Sequence, residues 1–197
     1  MNAPIIVFLG KPGSGKGTQA EMFSKKTGFS LFKTSGGLRS FAAENKHVGE
    51  KILKIMDHGH LLPAWLIMHL WLDEIFSHPL SQGLIIDGAV RQLKEAELFH
   101  GVLEWIERPY KVFSLEVSDG EMKDRIEKRA GKENRTDDTD ETLLERMEVF
   151  KKHTEKSLEF FNDKGHLVQI NGEGSIEKIH EEIMKKFEEL FPSTLHE

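Results

Sequence analysis

Residues 5–19 read IIVFLGKPGSGKGTQ, and the fold is decided there. The first five, IIVFL, are continuously apolar and rich in β-branched and aromatic side chains. That is the pattern of a strand buried on both faces. Gly10, Lys11, Pro12, Gly13, Ser14, Gly15 and Lys16 then follow the spacing G-x-x-x-x-G-K, with Gly17-Thr18 after the lysine. Glycines at this spacing let successive backbone N–H groups converge on phosphate oxygens. A helix over residues 17–26 would offer its N-terminus to the same anion. Lys16 would reach the β- and γ-phosphates of a nucleotide, and Thr18 would put a hydroxyl near Mg²⁺. Lys11 reads as a solvated side chain.

The strand pattern recurs at residues 83–86 (GLII), 112–117 (VFSLEV) and 166–170 (HLVQI), with a weaker example at 29–32. Amphipathic stretches lie between them. Residues 48–58 carry Val48, Ile52, Ile55 and Met56 on one face, and 63–76 opens on a proline suited to a first helical turn. Further helices are expected over 121–129, 140–161 and 175–190, the last with an apolar face of Ile176, Ile179, Ile183 and Phe187. Strands alternating with helices imply a parallel sheet covered on both sides. Ligands on such sheets sit beyond the carboxyl ends of the strands.

Composition narrows the function. The chain has 197 residues, enough for one domain over 1–197, with 38% hydrophobic and 30% charged residues. The net charge of −6 argues against a nucleic-acid coat or a polybasic membrane binder. The absence of cysteine excludes disulfides, thiolate zinc sites and a cysteine nucleophile. No apolar run approaches the ~20 residues of a membrane span, and a cytoplasmic location is the expectation. His58 and His60 have poor spacing for a metal, and Trp65, Trp71 and Trp105 read as core or half-buried packing.

Residues 10–19 reproduce the loop G-x-P-G-x-G-K-G-T-Q, and here the chain resembles the adenylate kinase family of nucleoside monophosphate kinases. The resemblance continues in order across nearly the whole chain. Thr34, Ser35, Gly36, Gly37, Leu38 and Arg39 resemble the family's monophosphate-binding S-T-G-D-x-L-R, one residue shorter and without the aspartate. From Arg39 the spacing to Gly49, Met56, Gly59, Leu61 and Pro63 matches the family without a gap. Asp87, Gly88, Ala89, Val90 and Arg91 resemble D-G-[FY]-P-R. The family's proline there is usually cis, and a valine makes that bond expensive by ~3–4 kcal/mol, so a differently shaped loop is expected. Arg125 and Arg129 share one helix face, Arg135 with Asp137 and Asp138 resembles the lid's R-x-D-D, and Arg146 falls on the following helix. Asn171-Gly172 resembles the segment that holds the ATP ribose and base.

The resemblance implies a three-layer α/β P-loop kinase fold. Its parallel five-stranded sheet is flanked by helices, with an acceptor-binding helical segment at 34–63 and a short lid at 130–138. It implies Mg²⁺ with ATP, no lid zinc, ATP and a nucleoside monophosphate as partners, no nucleic acid or membrane, and a monomer. Lys16, Arg91, Arg129, Arg135 and Arg146 would be catalytic. Gly13, Ser14, Gly15, Lys16, Gly17, Thr18, Arg125 and Gly172 would hold ATP. Thr34, Ser35, Gly36, Arg39, Gly88, Arg91 and Glu95 would hold the acceptor, and Thr18 with Asp87 the Mg²⁺, partly through water.

Such a set suits phosphoryl transfer, which needs two polyanions held in line and charge neutralised on the migrating group. Arginine forks meet phosphate with two hydrogen bonds and stay charged. The expected reaction is ATP + AMP to two ADP. Alternatives are a same-fold kinase with another acceptor, or a nucleotide-binding regulator with reduced catalysis. Glu95 stands where the family places a glutamine that reads the acceptor adenine. A carboxylate accepts but does not donate, which favours guanine; in the competing reading Glu95 is a solvated helix residue and Gln92 reads the base. Arg125 and Arg129 also fit solvated helix positions paired with Glu121 and Asp124.

Overall fold

A computed structural model describes residues 2–130, 140–192 and 194, the side chains of 126–130 and 140–141 excepted. In chain order the elements are β1 (Ile5–Gly10), α1 (Lys16–Thr27), β2 (Ser30–Lys33), α2 (Thr34–Glu44), α3 (Lys46–Asp57), α4 (Ala64–Ser77) and β3 (Leu84–Asp87). They continue with α5 (Leu93–Trp105), β4 (Tyr110–Glu116), α6 (Asp119–Ala130), α7 (Asp140–Val149), a π-helical turn (Phe150–Thr154), α8 (Glu155–Asp163), β5 (Leu167–Asn171) and α9 (Ile176–Leu190). The strands form one parallel sheet in the order β2-β3-β1-β4-β5.

β1 is apolar throughout because both its faces are covered. Ile5, Val7 and Leu9 join Trp71, Phe99 and Phe161 from α4, α5 and α8 on one side. Ile6 and Phe8 join Ala20 and Phe23 of α1 and Ile183 and Phe187 of α9 on the other. Phe23 is the hub there, with edge-on ring contacts to Phe8 at 5.8 Å, Phe29 at 5.9 Å, Phe113 at 6.5 Å and Phe187 at 4.9 Å. Chain connections leave β1 toward β2 on one side and later reach β4 on the other. The loop after β1 therefore sits where strand order reverses, the place at which such sheets bind ligands.

The segment expected to be helical does begin at Thr34 with a helix, α2, despite Gly36 and Gly37. Burial of Leu38 and Ala42 against the core outweighs their poor helix propensity. The structure departs from the sequence reading at several points. The single helix expected over 140–161 is broken by the π turn, whose extra residue shifts the helical phase by roughly 100°. Trp71 is fully buried, but Trp65 and Trp105 are 68% and 79% exposed, so neither is the core or half-buried residue expected. Ile176 is exposed, and the buried face of α9 is Ile179, Ile183, Met184 and Phe187.

Candidate active site

The loop between β1 and α1 is built on positive φ angles. Gly13 has φ +74° and Gly15, which caps α1, has φ +88°. Gly10 is closed in: a Cβ there would lie 2.7 Å from the Leu115 carbonyl oxygen. With no side chain capping α1, its first-turn N–H groups face the loop's concavity, where they favour an anion. Lys16 Nζ folds back over the loop, donating to the Lys11 carbonyl at 3.4 Å. Ser14 is fully buried and its Oγ has no protein partner. The same holds for Thr34 Oγ1 at the start of α2. An unmade hydrogen bond at a buried hydroxyl is costly, and both hydroxyls belong to segments read as phosphate-binding.

Lys11 is not the solvated residue expected. Its ammonium donates to Asp119 Oδ1 at 2.8 Å and to the Val117 carbonyl at 3.3 Å, fastening the loop to the start of α6. That contact holds the Asp119 carboxyl below its usual range. Arg125 does pair with Glu121, at 2.8 Å, but its Nη1 also donates to the Ser14 carbonyl at 3.2 Å. α6 is thus tied twice to the phosphate loop. A cavity of about 470 Å³ beside these ties is lined by Lys11, Leu115, Val117, Phe150, Leu158 and Asn171, among others. Gly172 N–H donates to the Glu116 carbonyl at 2.8 Å, and a Cβ at Gly172 would meet that oxygen at 2.9 Å.

Opposite the loop, β3 ends in Asp87, in register with Phe8 of β1 and Lys33 of β2. A Cβ on Gly17 would lie 3.4 Å from Asp87 Oδ2, so this carboxylate faces the first turn of α1. Gly88, at φ +82°, lets the Arg91 guanidinium fold back: a Cβ there would sit 2.8 Å from Arg91 Nη2. Arg91 feels the charges of Asp87, Glu95 and Arg146. Burial is the main influence and lowers its pKa, with Asp87 and Glu95 opposing and Arg146 adding to the effect. Arg146, from α7, lies over Gly59 at the α3–α4 turn, and His60 pairs with Glu145 at 3.4 Å. Through these contacts α7 docks on the acceptor segment.

The loop carrying Arg91 differs from the aromatic-proline form in the way anticipated. No described peptide bond is cis, and Val90 instead takes φ +52°, an uncommon conformation for a β-branched residue. Ser157 of α8, itself fully buried, donates to the Val90 carbonyl. Glu95 is 1% exposed and is not a solvated helix residue. Its Oε2 accepts from the Arg91 N–H at 3.1 Å and its Oε1 accepts from Gln92 Nε2 at 2.8 Å. Gln92 Nε2 also donates to the Leu62 carbonyl at 3.1 Å. Burial pushes the Glu95 carboxyl up to about 7, against the Arg91 and Gln92 hydrogen bonds and the Arg91 charge.

Thr18, Ser35, Gly36 and Arg39 line the exposed edge of these segments. The Arg129 side chain, Arg135 and the remainder of the lid lie outside the described residues. Sequence reasoning missed Lys11, which looked like one more surface lysine, and Ser157, whose partner is 67 positions away. No local signal marks either contact.

The family model for adenylate kinase matches residues 8–166. This chain belongs to the adenylate kinase family. It is 35% identical over 179 residues to an adenylate kinase of Thermus thermophilus, covering 90% of this chain and 94% of that one. It is 33% identical over 181 residues to an adenylate kinase of Leptospira biflexa, covering 91% and 97%. It is 31% identical over 182 residues to adenylate kinase isoenzyme 1 of Oryctolagus cuniculus, covering 92% of each. The protein is a nucleoside monophosphate kinase that transfers phosphoryl groups between ATP and AMP. A different acceptor, or a regulator with reduced catalysis, is not favoured.

Proposed function

We propose that the cleft residues divide the adenylate kinase reaction in the following way. Backbone N–H groups of residues 13–18 and the Ser14 hydroxyl hold the ATP phosphates, while Lys16 follows the phosphate being transferred. Arg39 and Arg91 hold the AMP phosphate. Arg129, Arg135 and Arg146 neutralise the migrating group, and Arg125 and Gly172 border the ATP nucleoside. An oxygen of AMP attacks the γ-phosphorus, the bond to the β,γ-bridging oxygen breaks, and two ADP result. No general base is needed, because the attacking group is already an anion. The observation that carries this reading is the Asp87 carboxylate at the first turn of α1, with Arg91 within reach of the charges of both Asp87 and Arg146.

A hard cation suits the pairing of a carboxylate with a hydroxyl, and Asp87 and Thr18 are the residues that would hold Mg²⁺. When bound with ATP it would neutralise charge on the phosphates.

For the acceptor base, Gln92 is the better reader and Glu95 its support. The Leu62 carbonyl can only accept, so the Gln92 amide must turn its NH₂ that way and toward Glu95. Gln92 Oε1 is left to accept from the exocyclic amine of adenine. Guanine offers an acceptor at that position, so this arrangement supports AMP. Burial keeps Glu95 behind Gln92 rather than against the ligand.

ATP and AMP are the intended partners, rather than nucleic acid or membrane, in keeping with the net charge of −6. A cytoplasmic monomer fits the family and the ordinary soluble composition. Among the described residues no helix is long and apolar enough to cross a membrane.

A coupled assay with ATP, Mg²⁺ and each monophosphate tests these roles. AMP turnover is expected, nearly abolished in Arg91→Ala. Gln92→Ala should raise KM for AMP at least tenfold with a smaller change in kcat. Unchanged KM in Gln92→Ala would return the base-reading role to Glu95.

A further inference from the structure

The amino ends of β4 and β5, on the edge of the sheet remote from the phosphate loop, hold a second cluster of chemistry-bearing groups. His100 and Glu104 lie four apart on α5 and so share a face. His166 precedes β5, and its carbonyl accepts from Val112 of β4. One ligand atom from each of His100, Glu104 and His166 lies within 4.8 Å of the others. A strand length, roughly 17–20 Å, separates such an edge from the opposite one.

The hydrogen bonds around this trio prepare it for an ion. His166 Nδ1 lies 3.1 Å from the Tyr110 carbonyl, which can only accept, so Nδ1 carries the proton and Nε2 keeps its lone pair. His100 Nδ1 lies 2.8 Å from the Tyr110 hydroxyl, which can accept and leave that ring's Nε2 for an ion. Tyr110 stacks on His166 at 4.0 Å and 7°, fixing the ring plane. Metal-bound histidines are held in this way, through the nitrogen that does not ligate. Burial, chiefly, keeps the His166 pKa below its ordinary value, which favours the neutral ring. The same influence, with Glu104, raises the Tyr110 pKa, keeping the phenol neutral. Lys111, whose charge acts on His166, is engaged by the Gly165 carbonyl at 2.7 Å. A groove of about 350 Å³ lined by Glu104, Glu107, Arg108, Tyr110 and His166 opens onto two of the three ligands, with the Arg108 guanidinium turned to the Ala3 and Gln82 carbonyls.

We propose that His100, Glu104 and His166 form a binding site for a divalent transition ion of the Zn²⁺ type, with water completing the shell. Two imidazoles and one carboxylate are a sufficient protein set for such an ion, and they exclude Mg²⁺, which prefers oxygen ligands alone. The ion would pin the second half of α5 to the starts of β4 and β5. The first turn of α5 carries Glu95, so the pin would steady the helix that supports the acceptor loop without touching substrate.

The test is calorimetric titration of tag-free, metal-free protein with Zn²⁺ in excess Mg²⁺. Thermal unfolding and the visible spectrum of the Co²⁺-loaded protein accompany it. One equivalent should bind, with Tm rising by roughly 5–10 °C at a hundredfold excess over Kd. Glu104→Ala, at an exposed position that tolerates change, should weaken binding at least tenfold, and His166→Gln more. Far-ultraviolet circular dichroism of each metal-free variant checks that it folds. Replacing both His58 and His60 with Gln should leave binding unchanged. No stoichiometric binding, binding that survives Glu104→Ala, or binding lost with His58 and His60 would overturn the proposal.

Discussion

The Glu95 carboxylate accepts a hydrogen bond from the backbone N–H of Arg91, one turn earlier, at 3.1 Å. That contact fixes the chain direction just after Val90, whose φ of +52° turns the loop so that the Arg91 guanidinium folds against Gly88. A buried acid thereby shapes the loop that carries the Arg91 guanidinium.

Its burial makes stability depend on pH. Native Glu95 titrates near 7 against an ordinary 4.5. Between those values the folded protein keeps a proton that the unfolded chain releases, so the contribution of Glu95 lowers stability as pH rises across that window. Glu95→Gln should remove this loss. The variant is expected to match the parent at pH 4.5 and to exceed it by on the order of 1–3 kcal/mol at pH 8. Urea unfolding at both pH values measures the difference, and an equal difference at both would contradict the assignment.

Ser157→Ala leaves the buried Val90 carbonyl without its donor from α8. An unsatisfied buried acceptor costs about 1–3 kcal/mol. The loss should also loosen the Arg91 loop, raising KM for AMP while KM for ATP stays near the parent value. Ser157→Cys, which retains a weak donor, should recover part of both effects.

Lys16→Met removes the ammonium that folds over the phosphate loop but keeps the length of the stem. Loss of one preorganised group on the transferring phosphate should lower kcat by about 10²–10³. Circular dichroism and Tm should change little by comparison. Parallel measurement of kcat and Tm separates loss of chemistry from loss of fold.

Phe23→Ala empties the centre of the ring cluster that joins α1, β1, β4 and α9. A buried phenylalanine truncated in this way costs about 3–5 kcal/mol. Chemical denaturation should report that loss. ATP affinity should fall less, because the loop at the head of α1 is held separately through Lys11 and Arg125.

How much was legible in the sequence differs from element to element. The β1 strand, the glycine spacing and the lysine of the phosphate loop are local: each follows from a few neighbouring residues whose backbone needs are specific. The same is true of Asp87-Gly88 at the end of β3, and the fold these features pointed to is the one observed. Glu95 illustrates the opposite case. Its chain position suggested contact with the acceptor base or with solvent, yet it is buried and bonded to Arg91 and Gln92. Lys11 and Ser157 were silent because their partners, Asp119 and Val90, are far away in sequence.

By itself the sequence determined the alternation of strand and helix, the glycine-rich loop between β1 and α1 and the cationic residues, because hydrophobic period and glycine spacing act over a few residues. Only the tertiary structure decided which polar groups are buried, and therefore their charge and partners. Desolvation of Glu95, the tie from Ser157 to the Arg91 loop and the meeting of His100, Glu104 and His166 depend on packing between elements distant along the chain. Local pattern carries no record of those distances.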